Sequence, residues 1–170
     1  GHYQEAVNTT LDAVAEGRLT GLDQGFGCYL DSLAAEALSR LGRWPAAASI
    51  LARQPVPNTF PVGLLRLALA RATLAARRGE SDLALGQLAE AEAQPVDGWH
   101  ESVLEATAAD VHLALGNWGD AALAAERGWE ATRTTSVLWA ARFAMRGVVA
   151  TVLVQRGTLK VGDPVVAGAA

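Results

Sequence analysis

Four glycines open similar phrases along this chain: Gly1-His-Tyr-Gln-Glu-Ala-Val, Gly42-Arg-Trp-Pro-Ala-Ala-Ala, Gly79-Glu-Ser-Asp-Leu-Ala-Leu and Gly116-Asn-Trp-Gly-Asp-Ala-Ala. They are spaced by 41, 37 and 37 residues. A period of this size is the signature of stacked supersecondary units. The last three follow apolar runs ending Leu38-Ser-Arg-Leu41, Leu74-Ala-Ala-Arg-Arg78 and Leu113-Ala-Leu115. A second, alanine-rich run follows each glycine. The physics is that of a helical hairpin. Glycine supplies the left-handed conformation that ends the first helix. An alanine five residues on (Ala6, Ala47, Ala84 or Ala121) lets the second helix pack closely on the first. Each hairpin keeps an apolar face that only a neighbour covers, so the hairpins stack.

The pattern predicts helices over 2–16, 29–41, 45–53, 62–78, 81–93, 100–115 and 120–132, and another starting near Ser136. The first is the second helix of a truncated repeat. Pro45 falls in a first turn, where proline is tolerated, and Ser81 is the expected N-cap. The segments 55–61 and 94–98, rich in Pro, Asn and Gly, separate the repeats. From Leu64 to Ala76 nearly every position except Arg66 and Arg71 is apolar or small. A helix of that kind is buried on most sides. The expected fold is all-α: a helical-hairpin array, or α-solenoid, over 1–145. Ala and Leu, 35 and 23 residues, supply the helix-forming majority.

Several function classes are excluded at this stage. No apolar stretch nears the ~20 residues needed to cross a bilayer, and no charged n-region and apolar h-region open the chain. A single cysteine, Cys28, excludes an internal disulfide framework and a cysteine-cluster metal site. A net charge of −4 without basic runs argues against nucleic-acid binding by this segment. The expectation is a cytoplasmic protein without a cofactor. Because it opens with Gly rather than Met, we read it as a piece of something longer.

No residue pattern carries catalysis. His100-Glu101 begins like a His-Glu-x-x-His metal motif, but position 104 is Leu. His112 reads as a packed histidine, and His2 has no nameable partner. Gly25-Phe-Gly-Cys-Tyr-Leu30 holds two of the three glycines of a dinucleotide loop, with no strand before it. It is expected to be a loop between helices. Cys28 has no His or Asn nearby in sequence and reads as a small buried group. Asn8-Thr-Thr10 matches a glycosylation sequon within an expected helix. Glu90, Glu92, Asp97, Glu101, Glu105 and Asp110 read as a solvated acidic stripe. Five tryptophans stand out. Trp44 and Trp118 occupy equivalent positions after Gly42 and Gly116, beside the third turn glycine, Gly79, and are expected to be structural. Trp99, Trp129 and Trp139 lack repeat equivalents and are the candidate partner contacts.

Gly21-Leu22, Leu33-Ala-Ala-Glu-Ala-Leu38 and Leu41-Gly-Arg-Trp44 resemble the tetratricopeptide-like region of large ATP-binding transcriptional regulators of the LuxR type. Ala76-Arg-Arg-Gly79, Leu115-Gly-Asn-Trp118 and Trp139-Ala-Ala-Arg-Phe-Ala144 look like the same region. The resemblance covers about 1–145. It implies an ATPase domain before the repeats and a DNA-binding helix-turn-helix after them, neither of which this segment carries. No Gly-x-x-x-x-Gly-Lys-Ser/Thr phosphate loop is present. The implied role is non-catalytic: a protein or small effector binds the concave repeat face, and DNA is met only through the missing helix-turn-helix. Apolar surface left by a truncated end repeat predicts self-association.

Composition changes near Gly147. Val occurs 8 times in 1–147 and 7 times in the last 23 residues. Residues 146–168 resemble the β-barrel domain of bacterial translation initiation factor two, through Val-Ala-Thr-Val-Leu-Val-Gln155, Gly157-Thr-Leu-Lys-Val-Gly-Asp163 and Val165-Val-Ala-Gly168. The alternation through Val148, Ala150, Val152 and Val154 also reads as strand–turn–strand. The other reading continues 137–156 as the first helix of a fifth repeat, ended by Gly157. The tail is therefore either a short C-terminal β-hairpin or further repeat, and two resemblances meeting in one chain suggest an artificial junction. Two other functions stay open: a fragment of, or fusion to, a translation GTPase, and a stand-alone tetratricopeptide-like adaptor.

Overall fold

The computed structural model describes residues 2–21, 23–57, 59–95, 98–134, 136 and 140–145. Every regular element among them is a helix: α1 (His2–Thr20), α2 (Asp23–Arg40), α3 (Trp44–Leu51), α4 (Pro61–Arg77), α5 (Ser81–Glu92), α6 (Gly98–Leu115) and α7 (Trp118–Thr132). A further helical run covers 140–145. The chain is all-α over this range. The Val- and Gly-rich segment 146–170 lies outside the described residues.

The three turn glycines at the 37-residue spacing are alike in the structure. Gly42, Gly79 and Gly116 have φ of 73°, 75° and 78°. At each, the glycine N–H donates to the carbonyl three residues back. The next N–H donates to the carbonyl five residues back: Arg43 to Leu38 at 2.9 Å, Glu80 to Ala75 at 3.0 Å and Asn117 to His112 at 2.9 Å. This paired closure satisfies carbonyls that a helix end otherwise leaves open. Ala47, Ala84 and Ala121, five residues past each glycine, are all 0% exposed. Close helix approach at the turn is therefore built the same way three times.

A Cβ added at Gly79 would meet no atom within 4 Å, so only its backbone conformation opposes substitution. Gly79→Ala should lower the unfolding free energy by about 1–2 kcal/mol. Gly79→Asn, which enters the left-handed region more readily, should lose less. Urea unfolding of the two variants measures this, and an alanine variant as stable as the parent would refute the turn's requirement.

Consecutive helices pack in the order α2 on α3, α4 on α5 and α6 on α7. α4 also contacts α2 and α6, so α2, α4 and α6 form one contiguous row. Two apolar clusters meet at α4. Leu67 and Leu74 join Val7 of α1 and residues of α2 and α3. Leu65, Ala68, Leu69, Ala72, Ala75 and Ala76 join α5, α6 and α7. That double role explains why α4 is apolar almost all round.

Arg71 interrupts this pattern for a reason visible only in three dimensions. Its guanidinium donates two bonds to the Leu51 carbonyl, at 2.9 and 2.7 Å, and one to the Arg53 carbonyl at 3.2 Å. A cation at the open carbonyls of α3 stabilises that helix end.

Several expectations need correction. α1 runs to Thr20 rather than stopping at residue 16, and Gly21 follows it with φ 76°. Residues 25–30 are not a loop but lie within α2, which starts at Asp23. Packing of α2 against α1 overrides the weak helix propensity of Gly25 and Gly27. Ala6 is exposed; its neighbour Val7 is the buried contact, at 3%. Glu80, not Ser81, is the N-cap of α5, and no side chain caps it. The paired closure at Gly79 places the helix start one residue earlier.

Candidate functional site: a groove across α2, α4 and α6

With each turn glycine as origin, the same register positions of α2, α4 and α6 face one groove of about 470 Å³. Two residues before the glycine stand Arg40, Arg77 and Ala114; six before it stand Glu36, Thr73 and Asp110; ten before it stand Ser32, Leu69 and Ala106. These offsets recur because positions 4 and 8 residues apart lie on one helix face. The residues seven before the glycine, Ala35, Ala72 and Ala109, are at most 1% exposed. Small side chains there let the three helices pack closely.

The groove's electrostatics differ from those of the whole chain. Among the described residues, four arginines (Arg40, Arg66, Arg77 and Arg142) and two carboxylates (Glu36 and Asp110) line it, a surplus of two positive charges where the chain carries −4. Glu36 lies between two of the cations, 2.6 Å from Arg40 and 3.4 Å from Arg66. Arg66 also sits 5.6 Å from the Tyr29 ring centroid, and its Nε is buried without a hydrogen-bond partner. Arg40 donates to the Tyr3 hydroxyl at 3.1 Å. That bond, ahead of Glu36, holds its guanidinium above the usual range against the opposing effect of burial. Asp110 pairs with Arg142 at 3.7 Å. Arg77 is different. It is exposed and donates to the Ser39 hydroxyl at 2.8 Å, with no carboxylate partner among the described residues.

Of the tryptophans read as partner contacts, Trp99 lines this groove from the first turn of α6 and is 59% exposed. Trp129 lies on α7, away from the groove lining, and is 39% exposed. Trp139 lies outside the described residues. Trp44 and Trp118 sit over their own turns: the Trp44 indole donates to the Ser39 carbonyl at 3.2 Å. The Trp118 ring comes within 3.6 Å of where a Cβ on Gly116 would stand.

The remaining candidates are dispersed. Among the described residues no three His, Cys, Asp or Glu side chains are close enough to hold a metal. Glu105 pairs across helices with Arg127 at 2.8 Å, and this bond raises the Arg127 guanidinium. His112 is half-buried, and its Nδ1 is buried without a partner. Cys28 is a half-buried thiol whose pKa is raised, chiefly by burial, which opposes a reactive thiolate. No helix among the described residues is long and apolar enough to cross a membrane.

Sequence reasoning missed the arginine groove. The signal was present: Arg40 and Arg77 are 37 residues apart, the spacing of the turn glycines. Compared with known protein families, curated proteins and solved structures, the chain matches none.

Proposed function

We propose that this chain is a non-catalytic binding segment: a tetratricopeptide-like array of helical hairpins that senses a partner or effector on one face, within a transcriptional regulator of the LuxR type. The observation that carries the binding role is the groove, where equivalent positions of three successive hairpins face a common cationic surface. The three like turns at 37-residue spacing support the array. The assignment to a regulator rests on the sequence phrases quoted above. In this reading the array transmits ligand binding, through a change in stacking or docking, to an ATPase domain and to a DNA-binding domain.

One continuous read of the source DNA through this gene tests the regulator assignment. The expected result is a phosphate-loop coding sequence upstream and a helix-turn-helix downstream. Further barrel strands beyond position 170, or a short gene with only a few added repeats, would overturn it. The first outcome favours a translation factor and the second a stand-alone adaptor.

A further inference from the structure

We propose that the groove across α2, α4 and α6 takes an acidic, extended segment of a partner protein, with a carboxylate seated on Arg77 and an apolar side chain against Trp99. The proposal rests on the reading of this groove as the binding face. Three observations select this occupant.

The first is charge. Among the described residues, Arg77 has only a neutral hydroxyl as its hydrogen-bond partner, and Arg40 stands at the equivalent position of the neighbouring helix. Arg40 and Arg66 share the single carboxylate of Glu36. A carboxylate entering beside Ser39 therefore meets a guanidinium that no acid among the described residues satisfies. Guanidinium donors favour such paired geometry with carboxylates. A cationic strip on an otherwise acidic chain also selects against basic partners.

The second is shape. The groove is partly open to solvent and crosses three helices. Helices pack about 10 Å apart, so the path across three is on the order of 20 Å. About six residues of extended chain cover that length. A small ligand would normally be enclosed over most of its surface. A partly open groove of this length instead suits an extended chain laid across it.

The third is the placement of Trp99. Its exposed indole lines the same groove from the start of α6, whereas Arg40 and Arg77 come from the last turns of α2 and α4. An aromatic surface at one end of the groove and a cationic one at the other fit a segment that combines acidic and apolar residues. The hydroxyls of Thr73 and Thr107 donate to carbonyls of their own helices, at 2.9 Å each. They remain able to accept bonds from peptide N–H groups.

The test is fluorescence anisotropy on the whole 170-residue chain, with a fluorescein-labelled peptide of six glutamates around one leucine. Peptides with lysine or serine in place of glutamate, a thymidylate hexamer and citrate serve as alternative ligands. The acidic peptide should bind at low salt and weaken as salt rises. Arg77→Gln should weaken it about 5-fold and Arg77→Glu at least about 10-fold. Arg133→Glu, at the C-cap just past α7, should leave it unchanged. Trp99→Ala should weaken it without abolishing the salt dependence. Circular dichroism checks that each variant keeps its helices, and the milder glutamine variant remains decisive if the charge reversal unfolds.

Absence of binding, or equal losses from Arg77→Gln and Arg133→Glu, would overturn the proposal. So would tighter binding of the thymidylate, or citrate that displaces the peptide at equal concentration. Serine-peptide binding that is lost in Trp99→Ala would refute the acidic ligand while leaving the groove as the binding face. If no peptide binds, the reading of the groove as a binding face fails as well.

Discussion

Leu65→Ala is expected to lower the unfolding free energy by about 2–5 kcal/mol, the range for deleting most of a buried leucine side chain. Leu65 is 0% exposed and belongs to the cluster that joins α4 to α5, α6 and α7. Two contributions add: the lost transfer free energy of the removed carbons, and the cavity left behind. Many of the surrounding side chains are alanines, among them Ala68, Ala72 and Ala108, at 0–2% exposure. Alanines have no rotamers with which to refill space, so the site collapses poorly and the cost falls toward the upper part of the range. Because α4 also carries Leu67 and Leu74 into the other cluster, the loss should be felt across the molecule. Urea unfolding followed by circular dichroism gives the number. Leu83→Ala, at a position 54% exposed on α5, serves as reference and should change stability by less than about 0.5 kcal/mol. Equal effects of the two substitutions would mean that α4 is not the shared centre of the core.

The parts of this architecture that were legible in sequence are those decided locally. A glycine that ends a helix needs a left-handed φ wherever the chain goes next, so Gly42, Gly79 and Gly116 are visible by spacing and behave alike. Ala47, Ala84 and Ala121 follow because the turn geometry brings the next helix close at that offset. The burial of α4 was visible because its apolar residues leave no polar stripe. Where packing competes with local preference, the reading fails. Gly25 and Gly27 suggested a loop, yet α2 continues through them against α1. Arg71 seemed an interruption of the apolar pattern, whereas its role is to bond carbonyls 18–20 residues earlier in the chain.

The candidate site was less legible for a related reason. Attention to residue type singled out tryptophans, and only Trp99 of the described ones lies in the groove. The arginines have no distinctive local motif. Their significance comes from equivalent register on adjacent helices, which puts Arg40 and Arg77 side by side and leaves one carboxylate, Glu36, between Arg40 and Arg66. Aligning the repeats backward from the turn glycines, rather than forward, exposes that ladder. The pairing of Arg77 with a hydroxyl instead of an acid remains a tertiary fact.

Gly128→Ala should destabilise the protein by about 1–3 kcal/mol, opposite in sign to the usual effect of this substitution inside a helix. Two effects compete. Alanine is favoured over glycine in a helix interior by about 1 kcal/mol. Against this, a Cβ on Gly128 would lie 2.2 Å from the Phe143 ring, which is 1% exposed. A buried ring cannot swing into solvent without uncovering its apolar surface, a cost of about 1.5–3 kcal/mol. Steric overlap therefore outweighs helix propensity. The register supports the assignment: twelve residues after the turn glycine the preceding hairpin carries Ala91, 0% exposed, where this one carries Gly128. The space that a methyl group fills in α5 is taken in α7 by the aromatic ring that docks 140–145. Phe143→Ala alone should also destabilise, by about 3–5 kcal/mol from lost burial. In the double variant the Gly128→Ala penalty should vanish or reverse, because no ring remains to overlap. Urea unfolding of the four proteins closes this double-mutant cycle, and a coupling energy near zero would show that the ring and Gly128 do not meet. Hydrogen exchange adds a second readout, since Gly128→Ala should expose amides of 140–145 before those of α4, where both apolar clusters converge.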